Sequence, residues 1–307
     1  MSEPNESLLT LAVSSRALFH IEDGHSIFKN QGQVAFDAYM REKEDIPLRP
    51  GIAFSLVKKL LAMNTLPSHS GEPCNRVEVI LMSRNSPDAG MRVMNSVSHY
   101  GLPIARAVFC QGSDRFRYAS AMGTHLFLSA SGQDVKSAID QGLAAATLLP
   151  SECENLEGSS EIRLAFDGDA VLFSSESDDV YRKGGLRAFE AHELSKKNEL
   201  MADGPFKKFL DALHAVQKTF PPNASPLKIA LVTARGMPTH VRVIKTLRSW
   251  DIRIDECIFA GGTAKGPLLK AFGADLFFDD TLKNIHSAQE HDIPSGYVPF
   301  GIGGINN

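Results

Sequence analysis

Residues 227–280 read LKIALVTARGMPTHVRVIKTLRSWDIRIDECIFAGGTAKGPLLKAFGADLFFDD. The apolar run over 227–232 has the length and composition of a buried strand, and the stretch 238–250 carries its apolar residues at helical spacing. A strand over 254–259, a helix over 267–272 and a strand over 275–278 follow. Working upstream, 162–166 is a short apolar strand, and Phe206, Phe209, Leu210, Leu213 and Val216 mark a helix over 205–220. Strands that alternate with helices across short loops imply an α/β fold with a parallel sheet covered on both faces. In such sheets ligands bind outside the carboxyl ends of the strands.

The same pattern occurs twice. Aligning 77–130 with 227–280 needs no gap and gives ten identities in 54 positions, among them Arg92/Arg242, Gly112/Gly262, Gly123/Gly273 and Phe127/Phe277. Chance would supply about three at ordinary residue usage. A shorter match pairs 11–19 with 165–173, at an offset of 154 rather than 150. The fold expected is therefore two Rossmann-like parallel-sheet units from a degenerate internal repeat, residues 1–150 and 151–307, joined in the polar stretch 150–160.

Polar residues collect where the strands of the second unit end. Phe166 is followed by Asp167-Gly168-Asp169, Val232 by Thr233, Phe259 by a glycine-rich loop reaching Lys265, and Phe278 by Asp279-Asp280. A parallel sheet brings these groups into one crevice. Asp167 and Asp169 can divide two roles between them, although Asp and Gly are also ordinary turn formers. Asp279 and Asp280 read either as a solvated cap or, beside a second acidic pair, as ligands of a divalent cation that offsets their repulsion. Oxygen ligands without His or Cys point to magnesium rather than zinc. Thr233 either caps the next helix or offers its hydroxyl to a phosphate, and Lys265 is either a surface lysine or a counter-charge to phosphate.

Composition narrows the classes. With 43% hydrophobic and 22% charged residues the chain is globular, and its net charge of −4 argues against a protein that works by neutralising nucleic-acid phosphates. The GGTAKGP loop lacks P-loop spacing, no GxGxxG follows a strand, and the ten histidines form no HExxH. Cys74, Cys110, Cys153 and Cys257 show no CxxC spacing. There is no signal-peptide pattern and no apolar run of membrane-spanning length, so a cytoplasmic protein with no membrane or nucleic-acid partner is expected, its oligomeric state open.

Taken in order, Asp167-Gly168-Asp169-Ala170-Val171, Thr233, Lys265 and Phe278-Asp279-Asp280 resemble the four motifs of the haloacid dehalogenase-like phosphohydrolases. Together with Ala12–Phe19, Ala165–Phe173, Leu231-Val-Thr-Ala-Arg235 and the Lys265-Gly-Pro-Leu-Leu269 block, they resemble the cytosolic 5′-nucleotidase type I family across nearly the whole chain. That resemblance implies Mg²⁺-dependent hydrolysis of nucleoside 5′-monophosphates, AMP first among them. It makes Asp167 the nucleophile of an aspartyl-phosphate mechanism, Asp169 the acid and base, and Thr233 and Lys265 phosphate-binding groups. The metal would be held by Asp167, the backbone carbonyl of Asp169 and one of Asp279 or Asp280.

The second unit then reads as a haloacid dehalogenase-like catalytic core with a small helical cap at about 175–222. Gly168, Ala234, Arg235, Phe189, His192 and Glu193 are the candidate substrate contacts, Phe189 as an aromatic face for the base. In the first unit the catalytic positions align with Val13-Ser14-Ser15, Arg115 and Ser129-Ala130, which describes a non-catalytic pseudo-copy. Such a copy is either a structural partner or a nucleotide effector site built on Arg16, Arg84 or Arg115. Two alternatives to a nucleotidase stay open: a sugar-phosphate or other small-metabolite phosphatase, and a nucleotide-binding regulator with little turnover.

Overall fold

The computed structural model describes residues 7–72, 74–149, 161–221, 223–237 and 239–300. The expected join at 150–160 and the glycine-rich tail from 301 lie outside the described residues. The first half holds β1 (Leu9–Val13), β2 (Val77–Ser83), β3 (Arg106–Phe109), β4 (Leu126–Ser129) and β5 (Ala145–Leu149), with helices α1 (Ser15–Leu18), α2 (Glu22–Glu42), α3 (Phe54–Ala62), α4 (Pro87–His99) and α5 (Gly132–Asp140). The second holds β6 (Ile162–Phe166), β7 (Leu227–Thr233), β8 (Glu256–Phe259), β9 (Leu276–Asp279) and β10 (Ser295–Tyr297), with α6 (Glu176–Ser195), α7 (Lys207–Lys218), α8 (His240–Ser249), α9 (Lys265–Phe272) and α10 (Leu282–Gln289).

These strands form one sheet, not two, in the order β3-β2-β1-β4-β5-β10-β9-β6-β7-β8. Each half is parallel throughout and uses the same relative strand order. The halves meet where β5 and β10 pair antiparallel, Leu149 opposite Ser295 and Thr147 opposite Tyr297. The fifth strand of each half is thereby covered by the other, which removes two exposed edges. The central strands are buried on both faces, as a helix-covered parallel sheet requires: β1 is buried at every position and β7 at all but one.

The core is also shared. α3 packs on β6 and α7 on β1, so each half lays a helix over the other's first strand. Phe209, Leu210 and Leu213 of α7 join a cluster that runs from Leu9 and Val77 to Phe166 and Phe278, with Phe166 and Phe278 stacked at 5.3 Å. The core thus crosses the boundary between the two halves, and within the stretch expected as a cap α7 covers the sheet while α6 lies over the strand ends.

Register places the halves against each other residue by residue. Leu9 pairs with Val77 as Ile162 pairs with Leu227, and Ser14 N–H donates to the Leu128 carbonyl at 2.9 Å as Asp167 N–H donates to Phe278 at 2.8 Å. Ser14, not Val13, therefore stands where Asp167 stands. Beyond this point the second half contains one residue more. Phe173 N–H reaches back to Gly168 at 2.9 Å, closing a π-helical turn in which Asp169 is extended (φ −70°, ψ 139°) and Ala170 is left-handed (φ 60°). The first half has the four-residue α1 instead, capped by Ser14. Both long helices over the strand ends break at a glycine, α2 at Gly32 (φ 83°, ψ −175°) and α6 at Gly185 (φ 68°, ψ −169°), a conformation that side chains with a Cβ avoid.

Candidate active site

The carboxyl ends of β6, β7 and β9 converge as the sequence implies, and α6 lies across them. Asp167 leaves β6, and Lys265 opens α9 one loop after β8. Lys265 Nζ lies 2.7 Å from Asp167 Oδ1 and 2.6 Å from Asp279 Oδ2, and all three residues are buried. The surface-lysine reading is thus excluded. Asp279 is saturated: its Oδ1 accepts the Thr281 N–H at 2.7 Å, and Asn284 Nδ2 lies 3.2 and 3.0 Å from its two oxygens. Among the described residues Asp280 has a single weak side-chain partner, Thr281 Oγ1 at 3.3 Å.

Carboxylate oxygens of Asp167, Asp279 and Asp280 lie within 4.8 Å of one another, an all-oxygen set that suits a hard divalent cation. Crowding of like charge in a dry site has the expected effect on ionisation. Burial, together with Asp279 and Asp169, pushes Asp167 up to about 7 against the pull of Lys265. Burial, then Asp167 and Asp279, pushes Asp280 up to about 9. On α6, Asp178 is raised to about 8 by burial and by Asp169 and Asp167. Lys265 is itself raised, since its two carboxylates outweigh the opposing effect of its burial.

Asp169 is held by Arg235. Nε lies 2.7 Å from Oδ2 and Nη2 2.6 Å from Oδ1, a two-pronged ion pair with Asp169. Arg235 also binds Glu193, which in turn takes Arg242 Nη1 at 3.1 Å and the Ser177 hydroxyl at 2.9 Å. Arg242 continues to Glu176 at 3.0 Å. This chain of ions ties α6 and α8 to the loop after β7. The Glu193 side chain is fully buried and bonded to protein.

Phe189 is also committed. The Arg235 guanidinium lies 5.0 Å from its ring centroid and Tyr181 meets it edge-on at 6.2 Å, so the ring supports Arg235 rather than offering a free face. His192 turns to Glu176, Nε2 to Oε1 3.5 Å. Thr233 does not cap a helix, because α8 begins at His240; its Oγ1 accepts the Arg235 N–H at 3.2 Å. Gly168 is buried in the π turn, and Ala234 is exposed at the end of β7. Sequence reasoning passed over Asp178, Asn284, Glu176 and any role for Arg242. Arg242 alone carried a signal, since it aligns with an identical residue, Arg92, at an offset of 150.

An α/β protein with a lysine seated between strand-end carboxylates has the makings of a metal-assisted phosphate site. The chain matches the 5′-nucleotidase family over residues 1–304 and belongs to that family. It is similar to cytosolic 5′-nucleotidase 1B of Homo sapiens, 36% identical over 290 residues, which make up 92% of this chain and 48% of that relative. The chain thus spans about half the length of the curated relative it matches. No solved structure matches it. Among the described residues no helix is long and apolar enough to cross a membrane, and Cys74, Cys110 and Cys257 are free thiols.

Proposed function

We propose that this protein hydrolyses nucleoside 5′-monophosphates, AMP foremost, to nucleoside and phosphate through an aspartyl-phosphate on Asp167. The observation that carries the reading is Lys265, buried between Asp167 and Asp279 beside Asp280, in a chain of the 5′-nucleotidase family. The preference for AMP, the haloacid dehalogenase-like character of the second half and a cytoplasmic location rest on the sequence resemblance, and the matching strand order supports descent of the halves from one duplicated unit.

Asp167 Oδ attacks phosphorus while the ribose 5′ oxygen departs with a proton from Asp169. A water then gives a proton back to Asp169, attacks the phosphorus and releases phosphate from Asp167. Lys265 offsets the repulsion between carboxylate and phosphate, and the Thr233 hydroxyl donates to a phosphate oxygen. Asp167 and Asp280, with the Asp169 carbonyl, would hold Mg²⁺, which supplies charge neutralisation at the phosphate. Asp280 is assigned ahead of Asp279 because the oxygens of Asp279 are already engaged. To reach the leaving oxygen, Asp169 gives up one prong of Arg235 and keeps the other.

The test is phosphate release from nucleotides, deoxynucleotides and sugar phosphates, with and without Mg²⁺, in the native chain and Asp167→Asn. Mg²⁺-dependent release from nucleotides, lost in the variant, is expected. Release chiefly from sugar phosphates would keep the chemistry and discard the substrate, and no release from any compound would remove the proposal.

A further inference from the structure

The first half contains a cavity of about 470 Å³ at the carboxyl ends of β1, β2 and β4, beneath α2. It occupies the place in its half that the acidic site occupies in the other, but its chemistry is reversed. Ser14 stands for Asp167, and by the unbroken offset of 150, Ser129 stands for Asp279, Ala130 for Asp280 and Arg115 for Lys265. The hydroxyls keep the local turns: Ser83 Oγ accepts the Asn85 N–H at 3.1 Å as Thr233 does for Arg235, and Ser129 Oγ accepts the Ser131 N–H at 3.2 Å as Asp279 does for Thr281. Backbone geometry is retained while the carboxylates are gone.

Positive charge remains, with Arg16 also paired to Glu22 at 3.0 Å. Arg16, Arg84 and Arg115 line the cavity with one lining carboxylate, Asp134, which lies 3.4 Å from Arg84 and 2.9 Å from Arg115. Arg115 is 3% exposed and its Nε has no hydrogen-bond partner among the described residues, nor has the Arg16 Nε. The Ser15 hydroxyl, also 3% exposed and on the cavity wall, has none either. Buried donors without acceptors cost free energy unless a ligand supplies the acceptors. Guanidinium forks and hydroxyls together are the donor set for a phosphate.

The roof adds an aromatic feature. Phe28 of α2 is 44% exposed at the cavity and meets Phe36 edge-on at 6.2 Å and 82°, the arrangement that Tyr181 and Phe189 make over the second-half site at 6.2 Å and 84°. Phe28 has His25 stacked beside it at 6.4 Å, and neither ring carries a guanidinium as Phe189 does. An exposed phenylalanine above a basic cavity offers a face to a flat base.

We propose that the first half is a second, non-hydrolytic site for a nucleoside phosphate, with the phosphate among Ser15, Arg16, Arg84 and Arg115 and the base against Phe28. The site lacks the carboxylates that would attack phosphorus or hold a cation, so the ligand is bound and released unchanged. The phosphate part rests on charge and orphaned donors in the first half alone; the choice of a nucleotide over other phosphates leans on the reading of the second half.

Calorimetric titration of the full chain with AMP and Mg²⁺, in an Asp167→Asn background that prevents turnover, counts the sites. Two are expected, falling to one with Arg16→Glu and Arg84→Glu, whose side chains are exposed enough to accept the change, and with thermal midpoints unaltered. Phe28→Ala should weaken that site at least tenfold, and inorganic phosphate should compete for it. A single site indifferent to the arginine substitutions overturns the inference, as does no binding at all or a second site that takes adenosine as well as AMP. A single site abolished by them upholds it and instead removes the nucleotide from the proposed active site.

Discussion

Arg235 grips both carboxylate oxygens of Asp169, at 2.6 and 2.7 Å, across 66 residues of chain, and its third prong goes to Glu193. The orientation of Asp169 is thus set by an arginine on the next strand's loop rather than by the Asp-Gly-Asp turn that carries it.

Removing that arginine leaves the buried Asp169 carboxylate uncompensated and leaves Glu193 with Arg242 and Ser177. Arg235→Ala should lower stability by roughly 3–5 kcal/mol, the range for breaking a buried pair by deleting one partner. Denaturant unfolding measures this. Arg235→Lys, which keeps the charge and loses the fork, should retain most of the stability while kcat falls about 10–100-fold through misplacement of Asp169. A kcat unaffected by the lysine would show that the fork has no part in turnover.

Lys265 pulls the Asp167 carboxyl down against burial, which raises it. With Lys265→Met the pull is gone and the pKa moves above about 7, so the acid limb of the kcat/KM profile should shift alkaline, with the plateau about 10²–10³ lower from lost charge stabilisation. An unmoved acid limb would mean that Asp167 does not govern it.

Cation binding should release protons. Asp280 titrates near 9 and Asp167 near 7 in the absence of metal, so at pH 7.5 the cluster holds a proton that Mg²⁺ must expel. Titrations in buffers of different ionisation enthalpy should show about one proton released per ion, and apparent affinity should rise from pH 6 to 9. Asp280→Asn should weaken binding more than Asp279→Asn; the opposite order reverses the ligand assignment.

Glu176 anchors the start of α6. Its carboxyl is lowered to about 2, chiefly by the Lys196 hydrogen bond and then, against a smaller opposing effect of burial, by Arg242. A depressed acid contributes its stability in full above the ordinary value of 4.5, and that contribution fades as pH falls toward 2. The difference in melting temperature between the native chain and Glu176→Gln should therefore be constant above about pH 5.5 and shrink steadily below it. A difference that persists at pH 2 would place the contribution elsewhere than in the charge.

The residues at the strand ends were legible because a parallel sheet gathers whatever follows its strands, and Asp167, Thr233, Lys265, Asp279 and Asp280 all follow apolar runs. The protein partners of Glu193, Phe189 and His192 were not legible, for one reason. These residues lie on a helix whose periodicity shows which face is apolar but not what that face meets, and what it meets is Arg235, Arg242 and Glu176.

By itself the sequence determined the alternation of strand and helix, the alignment of Arg115 with Lys265 and the absence of acids from the aligned positions of the first half, since each depends on neighbours a few residues apart or on a constant offset. Only the tertiary structure decided that both halves share one sheet through β5 and β10, that Ser14 rather than Val13 matches Asp167, and that Asp169 belongs to Arg235. Those outcomes turn on register and on pairing between distant charges, which are settled by which arrangement pairs most of the buried donors, acceptors and ions.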